Sequence, residues 1–307
     1  MNEGRRLRKS PLLSPGDTVG IVAPASYLPK GEKGYLPRAV EKLTAMGFNV
    51  KYSHSLDHKK HLYLAGGDEE RAHALLEMFL DPEIKAILCS RGGYGTQRII
   101  RYLDSELISR HPKPVVGCSD ITVLLIYLLQ MSFLIPFHGP NVATRQFVEG
   151  DVGMERSLKR SLLSNSPLGE IECSILRNGE AQGEVVGGCL SSLMTTLGTS
   201  YEIDLMDKIL FVEDIREPPY KIDRMLTHLK EAGKLRGVRG IIFGQMPGCD
   251  PGGRLLHKMI LDVLKDVDGP LLFGFPSGHG PLNLTIPLGV KVLVKEGLVI
   301  FKEGGVE

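Results

Sequence analysis

The feature that most constrains this chain is an alternation, over residues 18–137, of short β-branched runs with longer helix-spaced ones. Thr18–Ala23 (TVGIVA) is a β-branched run closed by Pro24. Glu32–Met46 carries apolar residues at helical spacing and stops at Gly47. Asn49–Tyr52 is a second short strand. Asp68–Leu80 is an amphipathic helix whose acidic first turn suits the positive end of a helix dipole. Lys85–Cys89 (KAILC) is a third strand and runs into the glycine-rich Arg91-Gly92-Gly93-Tyr94-Gly95. Pro114–Cys118 is a fourth, after which Ser119-Asp120 opens an apolar helix within Ile121–Phe137, followed by a strand. Strands that alternate with helices pair in parallel, because each crossover returns the chain to the same edge and covers one face. The expected N-terminal fold is therefore α/β, a doubly wound and mostly parallel sheet of the flavodoxin or amidotransferase kind. Such sheets bind ligands beyond the carboxyl ends of their strands. Loops 91–95 and 117–120 both lie at that edge.

A length of 307 residues suggests about two domains. Residues 1–150 form the N-terminal domain in this reading. Residues 151–182, polar and mixed, form a linker with some helix in it. Residues 183–307 are expected to make a smaller mixed α/β domain. Its strands are Lys208–Val212, Val238–Phe243, Pro270–Phe273 and a hairpin of Val290–Val294 with Leu298–Phe301 about the turn Lys295-Glu296-Gly297. Its helices are Tyr220–Ala232 and Arg254–Asp266.

Charge narrows the partners. Lys plus Arg number 37 against 36 Asp plus Glu, a net +1, so no global field draws nucleic acid or an anionic membrane to the chain. Five cysteines without a CxxC spacing argue against a disulfide framework or a zinc ribbon, and for reduced thiols in the cytoplasm. The basic N-terminus lacks the apolar core of a secretory signal. Ile121–Phe137, interrupted by Gln130, Ser132 and Pro136, is too short for a membrane span.

Several residue groups can carry chemistry. Gly117-Cys118-Ser119-Asp120 stands at a strand-to-helix turn, where a nucleophile elbow presents a serine beside the N–H groups of a helix start. Ile121 replaces the second glycine of G-x-S-x-G, and Ser-Asp before an apolar helix equally describes an N-cap. Gly92-Gly93 can bring a backbone N–H close to a developing oxyanion, or make a plain tight turn. The GGYG spacing does not fit a dinucleotide loop. Glu213 ends KILFVE, with Asp214 and Glu217 nearby. It can orient a histidine, or belong to a solvated charge cluster. His279, between Gly278 and Gly280, is a candidate general base or a surface loop histidine. His54, His58 and His61 fall at i, i+4 and i+7, but in loop-like sequence that disfavours a metal site.

Together these segments resemble the LD-carboxypeptidases, or murein tetrapeptide carboxypeptidases, a serine peptidase family that includes the microcin-immunity peptidases. The matching stretches are PGDTVGIVAPAS (15–26), YLAGGDEER (63–71), SRGGYGTQRI (90–99), GCSD (117–120), HGPN (138–141), VGGCLSSLMTTLGT (186–199), FVEDI (211–215) and SGHG (277–280), in family order. The resemblance implies a triad of Ser119 as nucleophile, His279 as base and then acid, and Glu213 orienting His279. It implies an oxyanion hole from the backbone N–H groups of Gly93 and Asp120, in a cleft between the domains. The implied reaction releases D-Ala from L-Lys or meso-diaminopimelate in murein tetrapeptides, through an acyl-enzyme, with no metal or organic cofactor. A homodimer engaged in cytoplasmic cell-wall recycling is implied as well. Gly92, Tyr94, Arg91 and Arg216 are candidate substrate contacts, the two arginines for the terminal carboxylate, which a guanidinium grips bidentately.

Three other readings compete. A microcin-immunity peptidase would cleave an aminoacyl-nucleotide conjugate. That branch stacks a tryptophan on the base, and this chain has no Trp. An amidotransferase would use Cys118 as nucleophile, but no histidine here is followed two residues later by Glu. A two-domain binding protein would bind in the cleft without needing the triad.

Overall fold

A computed structural model describes residues 6–53, 56, 60–253 and 255–307. The strands, in chain order, are β1 (Thr18–Val22), β2 (Asn49–Tyr52), β3 (Ile84–Cys89), β4 (Val115–Gly117), β5 (Phe137–His138), β6 (Glu170–Glu172), β7 (Ser174–Arg177), β8 (Glu180–Cys189), β9 (Lys208–Glu213), β10 (Gly240–Gln245), β11 (Leu271–Gly278), β12 (Ile286–Pro287), β13 (Lys291–Lys295) and β14 (Leu298–Phe301). They build two sheets, so the mixed α/β class read from the alternation is what the chain adopts.

The first sheet runs β12-β5-β4-β3-β1-β2. Its β1 to β5 are all parallel, and only β12 runs antiparallel, against β5. The order β2-β1-β3-β4-β5 is that of a flavodoxin-like doubly wound sheet, whose ligand crevice opens where the order reverses, between β1 and β3. The helix Asp68–Leu80 packs one face with Ala72, Ala74, Leu75, Met78 and Phe79, all buried. The apolar helix starts at Thr122, with every residue to Leu129 buried, and Phe133 in a left-handed turn releases the chain toward β5.

The second sheet runs β6-β14-β13-β8-β9-β10-β11-β7. Its middle four strands, β8 to β11, are parallel; the flanking ones are antiparallel. The stretch 151–182 holds the helix Val152–Leu163 and the strands β6 and β7, which close the two edges of this sheet. The helix expected to start at Arg254 runs over Leu256–Val263; Arg254 itself lies outside the described residues. No helix among the described residues is long and apolar enough to cross a membrane.

The parallel strands of both sheets aim their carboxyl ends at one region. From the first come Ser26 beyond β1, Gly92 and Gly93 beyond β3, and Ser119 beyond β4. From the second come Glu213, the last residue of β9, and His279, directly after β11.

Candidate active site

Ser119 has a backbone φ of 62°. A left-handed conformation is costly for a non-glycine residue and persists only where the surrounding structure enforces it. Ser119 is the first residue of the short turn Ser119–Ile121, whose N-cap position is Cys118 and which has no side-chain cap, so the N-cap alternative does not describe this serine. Asp120 does not cap its own helix either: its Oδ2 accepts a hydrogen bond from Thr96 N at 2.8 Å, tying β4's turn to the loop after β3. The turn is clamped from behind by Asn141, which accepts from Cys118 N (3.3 Å) and donates to Cys118 O (3.1 Å).

Gly92 explains the glycines of the facing loop. A methyl group there would lie 3.0 Å from Ser119 Oγ and 3.2 Å from Asp120 N. The space that glycine leaves open is thus within reach of both the Ser119 hydroxyl and a backbone donor, an arrangement able to hold a carbonyl group. Gly93, at φ 95°, lies against Ser26, whose hydroxyl accepts from Tyr94 N at 3.0 Å. Tyr94 is exposed and meets Tyr63 edge-on, ring centroids 5.7 Å apart.

Arg71, which no chemical reading of the sequence picked out, holds this loop in place. It is fully buried. Its guanidinium donates to the carbonyl oxygens of Pro24 and of Gly95 (2.9 Å) and to Asp68 Oδ1 (2.6 Å). The signal was a cation on the buried face of an amphipathic helix, among Ala72, Leu75 and Met78, where an unpaired charge is prohibitive.

Glu213 and His279 form a close polar pair. His279 Nδ1 lies 2.6 Å from Glu213 Oε2, and His279 N donates to the same oxygen at 3.1 Å. Glu213 is fully buried, not part of a solvated cluster, and the ring of His279 is largely covered. Gly278 makes the approach possible: a Cβ there would stand 2.6 Å from Glu213 Oε2. Burial works against the imidazolium, but the charge and hydrogen bond of Glu213, helped by Asp214, outweigh it and raise the His279 pKa. Asp214 is itself buried and accepts from Ser191 N (2.8 Å), holding the start of the helix Leu190–Met194.

Two residues that the sequence reading missed carry the histidine loop to the serine. Asn283 Oδ1 accepts from Gly278 N (3.0 Å), while its Nδ2 points at Cys118 Sγ (3.6 Å). Gln146 Nε2 donates to the carbonyls of both Gly278 (2.8 Å) and Gly280 (2.7 Å). Ser119 Oγ makes no hydrogen bond to His279 here; such contacts often close only with substrate bound.

The remaining candidates are placed as follows. Arg91 forms an ion pair with Glu32 (2.7 Å). Arg216 is exposed, with φ 55°, and among the described residues its guanidinium has no ion pair. Burial and the nearby Glu213 push the Cys118 thiol up to about 12, so it stays protonated and is a poor nucleophile. His54 and His58 lie outside the described residues. A cavity of about 930 Å³ opens near Lys230, Arg236 and Asp266 and contains none of the candidate catalytic residues.

A mixed α/β molecule that brings a strained serine, a buried carboxylate–imidazole pair and glycine-lined backbone donors to one place between two sheets is built as a serine peptidase. Residues 19–139 match the LD-carboxypeptidase N-terminal domain, and residues 182–294 the LD-carboxypeptidase C-terminal domain. A probable murein peptide carboxypeptidase of Bacillus subtilis is 41% identical over 92% of this chain and 90% of its own length. The crystal structure of muramoyltetrapeptide carboxypeptidase from Oxalobacter formigenes superposes with a TM-score of 0.82 at 29% identity, covering 94% of this chain and all of that one. The microcin C7 self-immunity protein MccF of Escherichia coli is 27% identical over 92% of this chain and 91% of its own. A structure of MccF with glutamyl sulfamoyl guanosine superposes with a TM-score of 0.90 at 25% identity, covering 97% and 99%. The chain belongs to the LD-carboxypeptidase family and is a hydrolase of the carboxypeptidase class.

Proposed function

We propose that this protein is a serine LD-carboxypeptidase that removes the terminal D-Ala from murein tetrapeptides by cleaving its amide to L-Lys or meso-diaminopimelate. The observation that carries the reading is the 2.6 Å contact between buried Glu213 and His279 Nδ1. It fixes the imidazole so that Nε2 is the free basic nitrogen. The 41% likeness to a probable murein peptide carboxypeptidase supports the substrate.

In this mechanism Ser119 Oγ attacks the L-residue's carbonyl carbon while His279 Nε2 takes the hydroxyl proton. Glu213 keeps Nδ1 protonated and stabilises the imidazolium as it forms. The N–H groups of Gly93 and Asp120 receive the oxyanion, and removing one such donor typically costs about 10²–10³ in kcat. The tetrahedral adduct collapses as His279 returns its proton to the departing D-Ala nitrogen. Water, deprotonated by His279, then attacks the acyl-enzyme and frees Ser119. Arg216, exposed and without an ion pair among the described residues, is the better candidate for the terminal carboxylate; Arg91 is already paired with Glu32. The setting would be cytoplasmic recycling of cell-wall peptides by a homodimer.

The test is D-Ala release from L-Ala-γ-D-Glu-meso-diaminopimelyl-D-Ala, with wild type and Ser119→Ala side by side and Arg216→Ala read for a raised KM. Release by wild type alone supports both reaction and nucleophile; release by both variant and wild type overturns the serine assignment. The likeness to MccF favours one other reading, hydrolysis of an aminoacyl-nucleotide conjugate. The absence of tryptophan speaks against base stacking of that kind. Turnover of a glutamyl sulfamoyl adenosine analogue but not of the tetrapeptide would select it.

A further inference from the structure

His138 lies on β5, directly opposite Gly117 of β4 and Ile286 of β12, and is completely buried. Its ring meets the Phe211 ring edge-on, centroids 5.1 Å apart. Phe211 and Glu213 lie two residues apart on β9 and therefore point to the same face. A Cβ on neighbouring Gly244 would touch both, at 2.9 Å from each. Thus His138 packs on Phe211, whose ring shares a face of β9 with the Glu213 side chain. Both its ring nitrogens lack a hydrogen-bond partner among the described residues, and so does Glu213 Oε1, the oxygen that His279 does not use. Buried polar atoms are nearly always paired, directly or through an ordered water. Three unpaired ones in one enclosed place point to each other.

We propose that His138 is a positioning residue for Glu213: its neutral imidazole donates, through one buried water, to Glu213 Oε1. The proposal rests on the triad reading above. The water accepts the imidazole N–H and donates one of its hydrogens to the carboxylate, so no proton changes hands. Glu213 is then held by both oxygens, Oε2 by His279 and Oε1 from behind. Burial lowers the His138 pKa to about 4, which keeps the ring neutral at working pH. The other titratable groups around Glu213 are His279, Asp214 and the thiols of Cys118 and Cys189, the thiols held protonated by burial.

The test is the rate at which a fluorophosphonate labels Ser119 in wild type, His138→Phe, His138→Gln, Glu213→Gln and the double variant His138→Phe with Glu213→Gln. His138→Phe, which keeps the ring's bulk, should slow labelling by about tenfold or more, as loss of a group that orients a reacting residue does. His138→Gln, which keeps a donor, should recover most of the rate. In the Glu213→Gln background His138→Phe should cost almost nothing further, because the two act through one contact. Equal slowing in both backgrounds, or none in either, overturns the proposal while leaving the triad standing. Failure of the wild type to label overturns the triad reading and this proposal with it. ¹⁵N NMR of the wild type gives a reading independent of any variant. His138 should show one protonated and one bare ring nitrogen between about pH 5 and 8, and a doubly protonated ring overturns the proposal.

Discussion

A histidine held 2.6 Å from a buried carboxylate keeps its proton to higher pH than a free one. For a general base that sets the acid limb of the activity profile. In the proposed mechanism His279 must be neutral to take the Ser119 proton, so activity should fall as pH drops through its raised pKa, above the ordinary 6.5. Glu213→Gln removes the charge that raises it and leaves the burial that lowers it. The acid limb of kcat/KM should then move to lower pH, while the maximal rate falls by about 10⁴-fold, as it does when the carboxylate of a triad is neutralised. A pH profile of the residual activity checks both. A limb that stays in place would mean that another group sets it.

At the scale of elements, the loops that carry the site are held by polar residues buried in regular structure. Arg71 is the clearest case: it bonds the carbonyls of Pro24, beyond β1, and of Gly95, at the end of the glycine loop after β3, from within a helix. Arg71→Met should leave both carbonyls and Asp68 without that partner and cost about 3–5 kcal/mol, the range for breaking a buried ionic network. That is a Tm loss of roughly 5–8 °C, with fluorophosphonate labelling of Ser119 slowed as well; an unchanged Tm and rate would remove Arg71 from this role. Helices and central strands were legible in the sequence because their periodicity is local. Thr18–Val22 and Asp68–Leu80 fall within the expected spans. Central strand β8 is the exception: none of it was legible, because Gly183, Gly187 and Gly188 disguise a ten-residue strand as a loop. Those glycines serve distant contacts: at Gly188 a Cβ would stand 2.7 Å from Thr122 Oγ1. Strand β12, two residues long, has no local pattern to read. Ser119, Glu213 and His279 were legible as an ordered set of motifs. Asn283, Gln146 and Arg71 were not, because their roles exist only once two remote segments meet.

At the scale of the whole molecule, the two sheets are laced together by the chain's far ends. Strand β12 leaves the sequence between two strands of the second sheet and completes the edge of the first. The last residues do the same. Glu307 exchanges backbone hydrogen bonds with Ser10 and Leu12, at 3.0 and 2.9 Å, and Lys9 pairs with Glu303. Val306 is buried beside the first sheet, in one apolar cluster with Leu13, Val19 and Leu162. Deleting residues 303–307 should therefore destabilise the half that carries Ser119, although the deletion lies in the half that carries His279. Burial of Val306 is worth about 1.5–3 kcal/mol and the two backbone bonds about 0.5–1.5 kcal/mol each; the half-buried ion pair of Lys9 and Glu303 is left out of the sum. The sum, about 2.5–6 kcal/mol, corresponds to a Tm drop of roughly 4–9 °C for a chain of 307 residues. Val306→Asp should reproduce most of it without shortening the chain, since it leaves the backbone bonds available and removes only the apolar anchor. Thermal melts of both variants decide the matter. If the deletion melts within about 2 °C of wild type, the tail is an ornament on the first sheet, and the coupling of the two halves rests on other contacts, among them β12, Asn283, Gln146 and the hydrogen bond from Cys189 N to Thr122 Oγ1.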